Sequence, residues 1–216
     1  MSVGDIILFF VIFLFSLSVH ESAHAWTSER FGDDLGRSLG RITLNPIAHI
    51  DPFGTILFPL VGLLSGGFMF GWAKPVPVNP LNWTEKNKAN FWVSAAGPIS
   101  NVFLAIIFFI LYKLAIVTNL FEMGNASGPY AIWEPIETLL GRGIQLNIVL
   151  AIFNLVPIPP LDGSGVLESI LPDDARSGYE QIKPYGWILL IALLVSGVLG
   201  YVIRPVIMIV RYLLNA

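Results

Sequence analysis

The 216-residue sequence has no cysteine and only 12% charged residues. Without cysteine there can be no disulfide and no thiolate metal site, so any metal must be held by His, Asp, Glu or water. The charged fraction is about half that of a soluble domain, where roughly a quarter of residues are charged. With 55% hydrophobic residues and a mean hydropathy of +0.72, the chain reads as an integral membrane protein. A net charge of −3 with no basic run excludes nucleic acid as a partner. The opening "MSVGDIILFF" lacks the basic region and small-residue cleavage site of a signal peptide, so its apolar run is expected to stay as a span. No repeat, low-complexity tract or soluble linker divides the chain, and residues 1–216 are expected to form one domain.

What is there is mostly apolar helix. A span needs about 20 apolar residues. Residues 6–26, 91–121, 136–156 and 185–203 each meet that length, which predicts an all-α polytopic fold of about four spanning helices. After Arg204-Pro205 the piece "VIMIVRYLL" is too short to cross and is expected to lie in the interface. Residues 52–72 are long enough to span but are interrupted by Pro59, Gly62, Gly66 and Gly67, and "AKPVPVNPLNW" after them reads as extended chain, a short hairpin edge. The connection from residue 27 to 90 carries Arg30, Arg37, Arg41, Lys74, Lys86 and Lys88, whereas "EMGNASGPYAIWEP" carries no Lys or Arg. The positive-inside rule puts the first on the cytoplasmic side and the second outside. Both ends of 27–90 then lie inside, so 52–72 cannot cross once and is expected to re-enter. Lys113, Arg142, Arg204 and Arg211 run against the rule.

Within the first span lies His20-Glu21-Ser22-Ala23-His24. HExxH on a helix sets two imidazoles one turn apart on one face, where both can bind a zinc ion, and places the glutamate to take a proton from the metal's water. Solvated histidines are the plain alternative, but ionisable residues inside a membrane are functional by default. A catalytic zinc takes three protein ligands. Glu29, Asp33, Asp34, Glu85, Asp173, Asp174 and Glu180 read as solvated loop charges. Asp162 differs, because it ends the rigid stretch "FNLVPIPPLDG" just past the third span, with Gly163 permitting a tight turn. His20, His24 and Asp162 all fall near the inner ends of their spans. "AAGPISN" enters at the same depth, and its Ala95, Ala96, Gly97 and Ser100 allow close helix approach.

HESAH, GPISN and NLVPIPPLDG, in this order, resemble the site-2 protease family of intramembrane zinc metalloproteases. "HIDPFGT" and "FGWAKPVPVNP" are similar to its short branch without PDZ or CBS domains. The resemblance covers nearly the whole chain. It implies one Zn2+ per chain held by His20, His24 and Asp162, Glu21 as catalytic acid/base, and a hairpin around Lys74 to Val78 that helps to hold unwound substrate.

The expected activity is therefore zinc-dependent endopeptidase cleavage of locally unwound transmembrane segments. Asn101 and Asn154 are candidates for substrate binding or oxyanion support, or equally for joining helices. His49 and Asp51 read as cap residues rather than a second shell. The segment 73–80 can add a strand to substrate or act as a gate. Expected partners are single-pass proteins or signal-peptide-like helices within the lipid bilayer. The expected location is a bacterial cell membrane, with the active site toward the cytoplasm. Two rival readings use the same residues: a metal transporter, which needs polar groups leading to both faces, and a non-catalytic scaffold.

Overall fold

The computed structural model describes residues 2–64, 71–120 and 133–215. The fold is all-α. Among the described residues, three helices are long and apolar enough to cross a membrane: α1 (Val3–Arg30), α4 (Lys86–Val117) and α5 (Trp133–Asn154). Between α1 and α4 come the short α2 (Leu35–Ser38) and α3 (Phe58–Leu64), and after α5 come α6 (Asp162–Ile170), α7 (Asp173–Ile182), α8 (Gly186–Ser196) and α9 (Val198–Asn215).

α1 is started by a capping box. The Ser2 hydroxyl accepts from the Asp5 N–H at 3.1 Å while the Asp5 carboxylate accepts from the Ser2 N–H at 2.8 Å. α4 lies antiparallel to α1, pairing Val93 with His24 and Asn101 with His20. α5 reverses again, pairing Asn147 with Asn101 and Gly143 with Phe108, so α1 and α5 run parallel. At the start of that parallel pair Arg142 is bonded to Asp5 at 2.5 Å. One cation that runs against the positive-inside rule is thus matched by an anion within the bundle.

Several sequence expectations are corrected. Residues 185–203 do not form one straight span. Gly197 adopts a left-handed conformation, φ 71°, which a side chain disfavours, and the helices on either side of it bend by 62°. Counting that bent pair as one crossing gives up to four spans. The last piece is not a separate element, because α9 continues through Pro205 and seats Val210 and Leu214 against Ile144. Residues 71–79 are extended but form no β-ladder among the described residues, since Pro75 and Pro77 remove alternate donors. Asp162 and Gly163 do not end in a turn; they begin α6.

The stretch from residue 52 returns to where it began. Asp51 caps a wide turn over Pro52–Leu57 by accepting from the Phe53 and Gly54 N–H groups, and α3 follows. Residues 65–70, where a re-entering segment would be expected to turn back at Ser65-Gly66-Gly67, lie outside the described residues. At residue 72 the chain is back beside its start, with the Trp72 N–H donating to the Gly54 carbonyl at 3.0 Å. Both described ends of the stretch therefore lie side by side, the arrangement expected of a segment that does not cross once.

Asp33 is fully buried rather than solvated. Its carboxylate accepts from Ser28 Oγ, Asn82 Nδ2 and the backbone N–H of Leu35 and Asn79, tying the end of α1 to the end of the extended segment. The Trp83 indole N–H completes the clasp by donating to Ser28 Oγ at 2.8 Å. Burial alone would raise the Asp33 pKa, but the converging donors outweigh it and hold it below the ordinary carboxylate value. The charged clasp is therefore intact above that ordinary value and is lost as pH falls through the lowered one. Asp33→Ala should destabilise the protein by about 2 kcal/mol, the effect of stranding buried donors. Thermal unfolding in detergent and faster proteolysis between residues 71 and 82 would register the loss.

Candidate metal centre

His20 and His24 sit one turn apart on α1, about 15 and 9 Å from its Arg30 end at 1.5 Å rise per residue. Their Nε2 atoms lie 3.1 Å apart. Asp162 brings Oδ2 to 3.1 Å from His20 Nε2 and Oδ1 to 3.4 Å from His24 Nε2. Among the described residues this is the one cluster of three candidate ligands.

The donor set fits zinc. Ligand atoms about 2.1 Å from a tetrahedral ion lie about 3.4 Å from one another, close to the three separations found. The other ring nitrogens are used elsewhere. His24 Nδ1 lies 2.6 Å from the Val93 carbonyl, which can only accept, so Nδ1 carries the hydrogen and Nε2 is the nitrogen left to bind a cation. Asp162 Oδ2 is buried with no hydrogen-bond donor aligned on it. Buried acceptors converging without donors match a cation.

Small residues make the convergence possible. A Cβ on Gly97 would fall 2.5 Å from His20 Nε2 and closer still to His24 Nε2, so α4 can lie against both rings only through glycine. Pro98 follows and removes the N–H that would bond the Ser94 carbonyl, opening α4 at this depth. On α6, a Cβ at Gly163 would strike the Leu155 carbonyl and one at Gly165 would strike Ser94 Oγ. The Asn90 amide also donates to the Gly165 carbonyl at 3.2 Å. The value of Gly163 is thus close approach at the start of a helix, not a turn.

These candidate ligands open onto a cavity of about 500 Å³ whose walls include Glu21, Trp72, Val76, Asn154, Leu161 and Trp187. Glu21 Oε2 accepts the Val76 N–H at 2.8 Å. The extended segment above it is pinned from its inner side. The Lys74 N–H donates to the His49 carbonyl, and the buried Arg41 guanidinium donates to the Lys74 and Pro75 carbonyls. Burial lowers the His49 pKa and the neighbouring Arg41 charge adds to this, so the ring is neutral and its Nε2–H donates to the Thr43 carbonyl at 2.9 Å.

The two asparagines singled out from the sequence part company. Asn154 lines the cavity, with its Nδ2 donating to the Leu150 carbonyl. Asn101 is fully buried behind His20, 2.6 Å from its Nδ1, and does not line the cavity. Sequence reasoning missed Arg41, Val76 and Asn147. Asn147 was visible as a polar residue in an apolar span, the usual mark of function at that depth, but no spacing ties residue 147 to residue 101.

The family model described as Peptidase family M50 matches residues 8–197. The chain belongs to that family. A Bacillus subtilis relative named "putative zinc metalloprotease YwhC" is 39% identical over 195 residues, spanning 90% of this chain and 83% of its own. Two mycobacterial relatives share a zinc metalloprotease name, Rip2. The one from Mycolicibacterium smegmatis is 29% identical over 92% of this chain and 70% of its own length. That from Mycobacterium tuberculosis strain H37Rv is 26% identical over 91% and 70%. No solved structure gives a significant match. Family and relatives identify a membrane-embedded zinc metalloendopeptidase.

Gly97→Ala should weaken zinc binding about tenfold or more, the scale on which disturbing ligand orientation acts. Competition with a chelator measures it, and a Ser100→Ala control on the same helix should leave the affinity unchanged.

Proposed function

We propose that this single domain, residues 1–216, is an intramembrane endopeptidase holding one zinc ion on His20, His24 and Asp162, with Glu21 as general base and acid. The observation that carries the reading is that the three ligands and Glu21 face one cavity about 9–15 Å inside the end of a membrane-spanning helix.

Zinc bound there supplies Lewis-acid polarisation of the scissile carbonyl and lowers the pKa of water toward about 7. The chain supplies the rest. Glu21, held through Oε2 by Val76, takes the proton of the attacking water on its other oxygen and returns it to the leaving amine. Asn154, on the cavity wall, is the side chain available to hold substrate backbone, while Asn101 orients His20. The expected substrates are single-pass helices or signal-peptide-like remnants that enter from the lipid bilayer and unwind locally. The Arg30 end of α1 faces the cytoplasm by the charge rule, and the active site opens to that side.

The proline-rich segment works better as a gate than as a pairing strand. Its Lys74, Val76 and Asn79 N–H groups are spent on His49, Glu21 and Asp33, and Pro75, Pro77 and Pro80 have none. A substrate strand would meet mainly carbonyls there.

Glu21→Gln should retain zinc at wild-type stoichiometry and lose cleavage by at least about a hundredfold, the low end of general acid–base catalysis. Undiminished cleavage by that purified variant removes Glu21 as the base. Asp162→Asn should lower zinc content, and unchanged metal would remove Asp162 as a ligand. For the gate, Arg41→Met should raise turnover of a short, already extended peptide. A fall in that rate, with the fold intact, would favour a pairing platform instead.

A further inference from the structure

Behind the metal centre, away from the cavity, runs a row of fully buried polar side chains that crosses three helices: Ser16 on α1, Asn101 on α4 and Asn147 on α5. Buried amides in an apolar bundle are costly unless every group is bonded, and here the bonds run in one direction. Asn147 donates 2.9 Å to the Gly143 carbonyl and 2.9 Å to Ser16 Oγ. Asn101 Nδ2 donates 2.8 Å to Asn147 Oδ1, and Asn101 Oδ1 lies 2.6 Å from His20 Nδ1.

One end of this row cannot be reversed. The Gly143 carbonyl only accepts, so the Asn147 atom facing it must be its NH2 group. Asn147 must then turn its oxygen to Asn101, and Asn101 must offer its own NH2 group in return. That leaves only an oxygen facing His20 Nδ1, which must therefore be N–H. Reversing either amide would set oxygen against oxygen or N–H against N–H in a buried site. With Nδ1 committed as donor, the Nε2 lone pair is left aimed at Asp162 and His24.

We propose that Asn147 is a positioning residue for metal binding: anchored on the Gly143 carbonyl, it fixes the His20 tautomer through Asn101, although it reaches neither the cavity nor the metal ligands. This rests on His20 being a zinc ligand, as read above. The partner ring needs no such relay, because His24 Nδ1 is fixed directly by the Val93 carbonyl.

The chain has 3 histidines, so their ring nitrogens can be followed individually by 15N NMR in detergent. In the wild-type protein His20 should carry a hydrogen on Nδ1, seen as a one-bond 15N–1H coupling, with or without zinc. A His20 Nδ1 lacking that hydrogen would overturn the proposal before any variant is made. Asn147→Leu keeps volume and deletes the amide, freeing Asn101 to flip. The His20 coupling should then weaken or divide into two populations, the His24 coupling should stay, and zinc affinity by chelator competition should fall about 10- to 100-fold. Ser16→Ala removes the other partner of the Asn147 NH2 group but leaves Gly143 to orient it, so affinity should stay within about twofold, below the range for a disturbed outer shell. A loss in Ser16→Ala as large as in Asn147→Leu would overturn the anchoring role of Gly143. Unchanged tautomer and affinity in Asn147→Leu would overturn the relay while leaving the peptidase reading intact. Zinc affinity that survives His20→Ala would instead remove His20 as a ligand, and the peptidase site with it.

Discussion

Two imidazole lone pairs and a carboxylate are pressed to within 3.1–3.4 Å of one another inside an apolar bundle. Left to themselves, such acceptors repel, and low dielectric magnifies the repulsion. A divalent cation reverses the sign. Much of what is unusual in the neighbouring helices serves to hold these groups together: the missing side chain at Gly97, the open turn at Pro98, and Gly163 and Gly165, which seat α6 against the chain around it. Larger residues at these glycines would fill the bundle better and hold the ligands apart.

The same logic governs the segment over the cavity. Prolines at 75, 77 and 80 prevent it from joining a sheet, so it is held by side chains instead. Arg41 grips two of its carbonyls, Asp33 takes one N–H near its far end, and Glu21 takes one in the middle. The proposed base is therefore also part of what holds the cover in place. Any displacement of this segment would also release one oxygen of Glu21, a coupling that a self-paired sheet would not have produced.

The sequence was most legible where chemistry forces local spacing. His20 and His24 sit one turn apart, with Glu21 beside the first, because a helix allows nothing else, and a third ligand could be sought among few acids because the chain is so poor in charge. Legibility failed where the outcome depends on distant partners. Asp33 looks like any loop acid until Ser28, Asn79 and Asn82 surround it. The break at Gly197 falls inside an apolar run long enough to read as one span, and the continuation through Pro205 runs against the usual reading of proline. The first adopts positive φ between two apolar runs, while the second sits in a helix held by Val210 and Leu214. The Asn101–Asn147 contact joins residues 46 apart in sequence, and no single helix carries its pattern.

The placement of polar groups along α1 also bears on whether the site moves metal or uses it. From His20 toward the Val3 end, Ser18 and Ser16 are fully buried; Ser18 bonds back to its own helix and Ser16 accepts from Asn147. Beyond them residues 6–15 are apolar without exception, and Ile12 and Phe13 are packed shut, as are Leu140 and Ile144 of α5. The next charged group is Asp5, already matched by Arg142. A hydrated cation crossing that distance would have to shed its water with no ligand to replace it, a penalty of many kcal/mol. Toward the Arg30 end the surroundings are different, with Glu21, the carbonyl-rich segment and the cavity wall offering polar partners. Among the described residues the site is shut by apolar packing toward the Val3 end and lined by polar partners toward the Arg30 end, which favours a site that uses its metal over one that passes it on.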